Sequence, residues 1–288
     1  MHQSSFSQWM FSFFLRHILC LVAFIGLLAS SGAGAQEVLR LGGTGTGTLL
    51  LQRMATAYGQ AHPGTRVEVV TPPLGSNGGL RALTAGSIQL AIVTIPTAFS
   101  PSSLRQGGLR HIPWVTTPLV FTGHDISRET RLTLSQVADI YAGRNSRWDG
   151  GKPIRLVSRS ERESDTSILR AASPEMEVAV LQGLKRSGTP FAENDFDSQK
   201  LLEQAPGSFG TLALGQLLLS SSPLKPATLD GVAPSLESLR NGTYRLTKPL
   251  YLVIWQAPSR ATLDFLAYLQ SPEVLKMLEP YGFVPLPH

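Results

Sequence analysis

The chain has 288 residues, and 25 Lys+Arg against 20 Asp+Glu give it a formal charge of +5. That length supports one or two domains with their own cores. The basic excess forms no dense Lys/Arg run and is not interleaved with aromatics, which argues against a nucleic-acid partner.

The N-terminus is read as a signal peptide over residues 1–35. Arg16 and His17 precede an apolar run from Ile18 to Leu28, and small residues follow as far as Ala33-Gly34-Ala35. That is a charged region, an apolar region and an A-x-A cleavage site. The run is broken by Gly26 and Ser30 and falls short of the ~20 apolar residues of a membrane span. The single cysteine, Cys20, lies in this run after Leu19, a poor setting for lipidation. The exported chain therefore has no thiol for a disulfide, a Cys-metal site or a nucleophile.

From Glu37 onward short β-like runs alternate with helical ones, which predicts an α/β fold. Val38-Leu39-Arg40-Leu41 reads as a strand, Gly42 to Thr48 as a glycine-rich loop, and Leu50, Leu51, Met54 and Tyr58 as the inward face of a helix ended by His62-Pro63-Gly64. The loop fails both common nucleotide motifs. Gly43 and Gly45 put Thr48 where G-x-G-x-x-G needs glycine, and no lysine closes a P-loop. What remains is either a flexible turn or a helix start whose free N–H groups favour an anion.

Arg66–Val70 is the second strand, Pro72–Gly79 a second loop, and a helix opened by Leu80 and Leu83 stops near Gly86. Ile88–Val93 reads as a central parallel strand buried on both faces. Further strands are expected at Val115–Phe121, Ile154–Ser158, Ser208–Leu214, Leu224–Leu229 and Tyr244–Trp255. Helices are expected at Ser135–Tyr141, after Thr166, from Ser173-Pro174 to Gly188, at Ser198–Gln204 and over Ala261–Leu278, with a restart at Ser271-Pro272. Two proline-marked extended segments, around Trp114–Leu119 and Thr247–Leu250, suggest a chain that leaves one lobe, builds a second and returns. The boundaries are then 36–116 plus 247–288 for lobe 1 and 117–246 for lobe 2; the alternative is one larger α/β domain.

Three loops share a placement after a strand and before a helix: Gly42–Thr48, Ser76-Asn77-Gly78-Gly79 and Ser164-Asp165-Thr166, the last with Arg159 upstream. Open α/β sheets bind ligands at the carboxyl ends of their strands, so hydroxyls, helix N-terminal amides and the Arg159 fork would converge on a small oxyanion. Catalytic sets are missing. There is no G-x-S-x-G elbow, and His62, His111, His124 and His288 share no metal-ligand spacing. Glu161 and Glu163 read as a solvated charge pair, and Trp148 and Trp255 as packing aromatics. No cofactor is expected.

The ordered set of motifs resembles the periplasmic phosphate-binding proteins of ABC transporters. The matching segments are Gly43-Thr44-Gly45-Thr46 (G-[ST]-x-T), Gly75–Gly79 (G-S-x-G-G), Leu134–Trp148 with Asp139–Gly143, Ala205–Gly210, Asn241–Leu246, and Ser271-Pro272 with Gly282–Leu286. The resemblance implies a two-lobe type II periplasmic-binding-protein fold, each lobe a mixed sheet flanked by helices, joined by two hinge strands. It further implies a periplasmic, monomeric, non-enzymatic protein that captures a small oxyanion, phosphate first, and hands it to an ABC transporter permease. The ligand-binding set it points to is Thr44, Thr46, Ser76, Asn77, Thr94, Arg159, Ser164, Asp165 and Thr166. Two positions depart from the family. Thr94 stands where a carboxylate often accepts the proton of hydrogen phosphate. R-x-x-x-S-G-T becomes Arg159, four residues, then Ser164-Asp165-Thr166, so an acid replaces glycine and the arginine is one residue further away. An acid beside a bound anion is unfavourable unless it meets Arg159 or Arg162. A different ligand, bound by a sensor or accessory protein of the same fold, is the alternative expectation.

Overall fold

A computed structural model describes residues 37–94 and 108–287. The expected signal peptide and His288 lie outside the described residues. β1 (Glu37–Gly43), α1 (Gly45–Ala61), β2 (Thr65–Val69), α2 (Gly75–Thr84) and β3 (Leu90–Thr94) form the first β-α-β-α-β unit. The long β4 (Leu109–Thr122) follows, then β5 (Arg131–Leu132), α3 (Leu134–Ala142), β6 (Arg155–Leu156), β7 (Ser158–Arg159), α4 (Ser164–Ala172), α5 (Pro174–Leu184), β8 (Phe191–Ala192), α6 (Asp195–Gln204), β9 (Ser208–Ala213), α7 (Leu214–Leu219), β10 (Thr228–Leu229) and α8 (Leu236–Arg240). The chain ends with β11 (Thr247–Trp255), α9 (Arg260–Leu269), α10 (Pro272–Leu278), a 3₁₀ turn (Glu279–Tyr281) and β12 (Val284–Pro285).

The main sheet runs β2-β1-β3-β11-β4-β9-β6, with β12 also on β4. β1 is parallel to β2 and β3. β11 is antiparallel to β3 and β4. All five residues of β3 are buried, as a strand covered on both faces requires. β4 holds the architecture together. From Leu109 to Pro118 it pairs with β11, whereas Leu119 to Thr122 pair with β9. The two proline-marked segments are thus neighbours, with Thr247 opposite Pro118 and Pro249 opposite Thr116.

The apolar interior divides where these strands cross. One core is drawn wholly from Leu119 to Leu246 and includes Phe121, Phe209 and Tyr244. The other two use Leu39 to Val93, Leu109 to Val115 and Leu250 to Phe283. One core on one side of the crossing and two on the other, joined by two paired strands, make a two-lobe α/β protein rather than one larger domain. Trp148 packs edge-on to Phe209 in the second lobe, and Trp255 is half-exposed on the first, donating to the Leu83 carbonyl.

Several element boundaries differ from the expectations, each for a local reason. The glycine-rich segments are helix first turns rather than loops, because α1 starts at Gly45 and α2 at Gly75. The Ile154–Ser158 strand breaks into β6 and β7, whose partners are β9 and β8 respectively. The α6 helix starts at Asp195, not Ser198, since Asn194 accepts from the N–H groups of Phe196 and Asp197 and caps it. Only Thr228–Leu229 of the Leu224–Leu229 run pairs, on β5. The Leu214–Leu219 helix was not expected.

Candidate anion site

The site is built from four helix N-termini and the crossing strand β11. On the first lobe, Gly43 closes β1 with a φ of +145°, and a Cβ there would run into the carbonyl of Ile92. Only glycine fits, which lets α1 start hard against β3. Thr44 is the N-cap of α1; its Oγ1 accepts from the Gly47 N–H at 3.1 Å, so the hydroxyl serves the helix. Thr46 has no exposed surface. Its N–H donates to Oδ2 of Asp195 at 3.1 Å, and its Oγ1 donates to Oε1 of Gln216 at 3.2 Å. Ser76, in the first turn of α2, accepts from the Thr94 N–H at 3.0 Å. Asn77 donates to the Arg162 carbonyl at 3.1 Å and so bridges the lobes. The Thr94 hydroxyl is buried without a hydrogen-bond partner.

The second lobe supplies the charge. Arg159, on β7, is buried; its Nη1 donates to Oδ1 of Asp195 and its Nη2 to Oε2 of Glu163 at 2.7 Å. Ser164, Asp165 and Thr166 form the buried first turn of α4. Asp165 there lies where the helix dipole favours an acid. Lys248 enters from β11, fully enclosed, with its Nζ 2.7 Å from Oδ1 of Asp165 and 3.2 and 3.3 Å from the two oxygens of Asp195. Neither Asp165 oxygen accepts a well-aligned hydrogen bond, so its contacts with Lys248 and, at 3.6 Å, with Arg159 are ionic. Asp195 opens α6 and reaches across to the N-terminus of α1. A Cβ on Gly45 would collide with its side chain.

The ionisation of the cluster follows from this geometry. Burial pushes the Asp195 carboxyl up, but the Lys248 and Arg159 charges and the Arg159 and Thr46 donors outweigh it, and hold it well below the usual carboxylate range. Burial likewise disfavours the charged forms of Arg159 and Lys248, and the facing carboxylates reverse that, so both are held more firmly protonated. Glu163 goes the other way: burial raises its carboxyl more than Arg159 lowers it. Two cations thus face two fully buried carboxylates, with Glu163 at the rim. A neighbouring cavity of about 20 Å³, lined by Tyr141, Arg159, Asp165, Thr166 and Thr211 among others, has room for about one water and none for a tetrahedral oxyanion.

Of the residues expected from sequence, Thr46, Arg159 and Asp165 meet directly in this cluster, and Ser164 and Thr166 share its α4 turn. Thr44, Ser76, Asn77 and Thr94 make the separate contacts described above, of which that of Asn77 crosses between the lobes. Sequence reasoning missed Asp195, Lys248, Gln216 and Glu163, and Glu163 is an ion-pair partner rather than a solvated charge. Two signals were available. Asn194-Asp195-Phe196-Asp197 is an N-cap followed by an acidic first turn, and Lys248 is the one charge in the otherwise apolar run Thr247–Trp255. Among the described residues no group of three or more His, Cys, Asp or Glu could hold a metal, and no helix is long and apolar enough to cross a membrane.

Comparison with known proteins gives the same architecture. A Clostridium perfringens structure described as a phosphate ABC transporter substrate-binding protein with bound phosphate aligns with a TM-score of 0.72 at 16% identity, over 87% of this chain and 100% of that one. An ABC-type phosphate transport receptor from Vibrio cholerae aligns with a TM-score of 0.61 at 20% identity, over 86% and 100%. In sequence, the phosphate-binding protein PstS 2 of Streptococcus agalactiae serotype V is 28% identical over 82 residues, which are 28% of this chain and 27% of that protein. The chain thus spans about a quarter of the length of the curated relatives it matches. The family model described as the PBP superfamily domain matches residues 29–273. With that match over most of its length, the chain belongs to the PBP superfamily domain family.

Proposed function

We propose that this protein is an exported solute-binding protein that captures a small oxyanion, most simply phosphate, between its lobes and delivers it to an ABC transporter permease. One observation carries the reading. The cleft converges the Thr46 N–H, the Arg159 guanidinium and the Lys248 ammonium on a single negatively charged group, the Asp195 carboxylate. Such a donor set recognises anions by charge-assisted hydrogen bonds. The relatives named for phosphate binding and the shared fold support phosphate as the first candidate. The signal peptide at 1–35, a periplasmic location, the lobe boundaries 36–116 with 247–288 and 117–246, and the wider ligand set of Thr44, Ser76, Asn77, Thr94, Ser164 and Thr166 belong to the same proposal. So do a monomeric state and a transport rather than catalytic role.

A second reading keeps the fold and changes the ligand. Asp165 and Asp195 place two carboxylates where a dianion would have to sit, which favours a singly charged solute and a sensing or accessory role. Calorimetric titration with phosphate, sulfate, molybdate and a phosphonate, on the natural protein and on Asp195→Ala, separates the two. Phosphate binding by either protein supports the first reading. Failure of every oxyanion with both, in titration and in thermal unfolding, would overturn it, since a ligand at 100 times its Kd should stabilise the fold by about 2.7 kcal/mol.

A further inference from the structure

We infer that Asp195 is a resident carboxylate ligand of the anion site: its side chain takes the place of a bound solute and holds the lobes closed in solute-free protein. The inference rests on the anion-site reading above and concerns how that site is controlled.

Three observations carry it. First, the Asp195 carboxylate is bonded from both lobes and from the crossing strand, by the Thr46 N–H of α1, by Arg159 of β7 and by Lys248 of β11. These are the group types that would bind a free oxyanion, and they converge on one side chain. Second, the seam around it is tight. Thr46, Asp195 and Lys248 are all at most 3% exposed, and Gly45 owes its lack of a side chain to Asp195. Gln216 adds to the closure by accepting from Thr46 Oγ1 while its Nε2 donates to the Asp195 carbonyl at 2.9 Å. Third, the charges already balance. Arg159 and Lys248 already face the two buried carboxylates of Asp165 and Asp195, with Glu163 at the rim on Arg159. No positive charge is in excess, so an anion entering beside Asp195 would leave a buried surplus of negative charge, which is costly. An anion that replaces the Asp195 side chain restores the balance when it carries a single charge. A monoanion such as dihydrogen phosphate or a small carboxylate is therefore the matched competitor. Solute capture then begins with withdrawal of α6 from the N-terminus of α1.

Small-angle X-ray scattering without added anion tests this on the natural protein, Asp195→Ala and Asp195→Asn. The natural protein should be compact, and inorganic phosphate should leave its radius of gyration unchanged. Asp195→Ala should have a larger radius, return to the compact value on adding phosphate or acetate, and bind phosphate at least tenfold more tightly by calorimetry. Asp195→Asn keeps the shape and loses the charge. It should also open, and it carries the test if the alanine variant does not fold. A natural protein that is already open without anion overturns the inference, as do variants that stay compact with unchanged phosphate affinity. Variants that open but are not closed by phosphate or acetate would leave the resident-ligand role standing and remove the oxyanion reading instead.

Discussion

The two sides of the cleft contribute in different currencies. Short of the crossing strand, the first lobe brings only neutral groups, held rigidly: Gly43 against Ile92, Thr44 as a helix cap, and the Thr46 N–H aimed at Asp195. The second lobe brings charge of both signs: Arg159, Glu163, Asp165 and Asp195. Lys248, on the strand between them, faces both of the buried aspartates. Neutral helix N-termini attract any anion with little discrimination. Selectivity, and the identity of the group in the seat, therefore belong to the second lobe and its hinge.

The sharpest way to break this division is to remove the hinge cation. Lys248→Met leaves Asp165 and Asp195 with Arg159 alone, and breaking a buried pair from one side costs about 3–5 kcal/mol. Urea unfolding should show a loss of that size. A second substitution, Asp165→Asn on the Lys248→Met background, should recover part of it; no recovery would mean that Lys248 acts by packing alone.

On the first-lobe side the corresponding test is steric. Gly45→Ala places a Cβ against Asp195, and overpacking of this kind costs typically about 1–3 kcal/mol. Asp195→Gly in the same chain should remove the clash, so the Gly45→Ala penalty should shrink on that background. An undiminished penalty would place the strain elsewhere. Thr46→Val deletes the hydroxyl that Gln216 accepts from and leaves a buried acceptor short of a partner, a loss of about 1–3 kcal/mol at the same seam.

Acid titration of stability compares the charges within the second lobe. The Asp195 carboxyl is held below its ordinary value, so its contribution is present above the unfolded pKa of about 3.9 and is lost as pH falls through the folded value. Asp195→Asn should flatten that acid limb and lower stability at neutral pH. Glu163 is raised, so its contribution is present below its ordinary value of about 4.3 and is lost as pH rises through the folded one. Glu163→Gln should therefore remove a small decline in stability just above the usual carboxylate range. That is the smallest of these effects, because Glu163 lies at the rim. A steeper decline in the variant would reverse the assignment.

The sequence by itself determined the α/β alternation and marked the crossing strands, with two lobes or one larger domain as the readings it allowed. β and helical periodicities alternate, and Pro118 and Pro249 mark the crossing strands, which the structure pairs directly. Local chemistry also made the helix starts legible as anion-seeking, because caps and glycines act within a few residues of themselves. Tertiary structure alone decided which anion sits there. Asp165 and Asp195 are 30 positions apart on separate helices, and Lys248 lies far downstream on a returning strand. No local pattern brings a carboxylate from α6 to the first turn of α1; only closure of one lobe on the other does so. Thr94 shows the same limit, since its backbone N–H is taken by Ser76 of the neighbouring helix while its hydroxyl stays unpaired. Charge placed at long range in sequence is settled by packing, where the cost of burying each ion depends on partners that the linear order does not name.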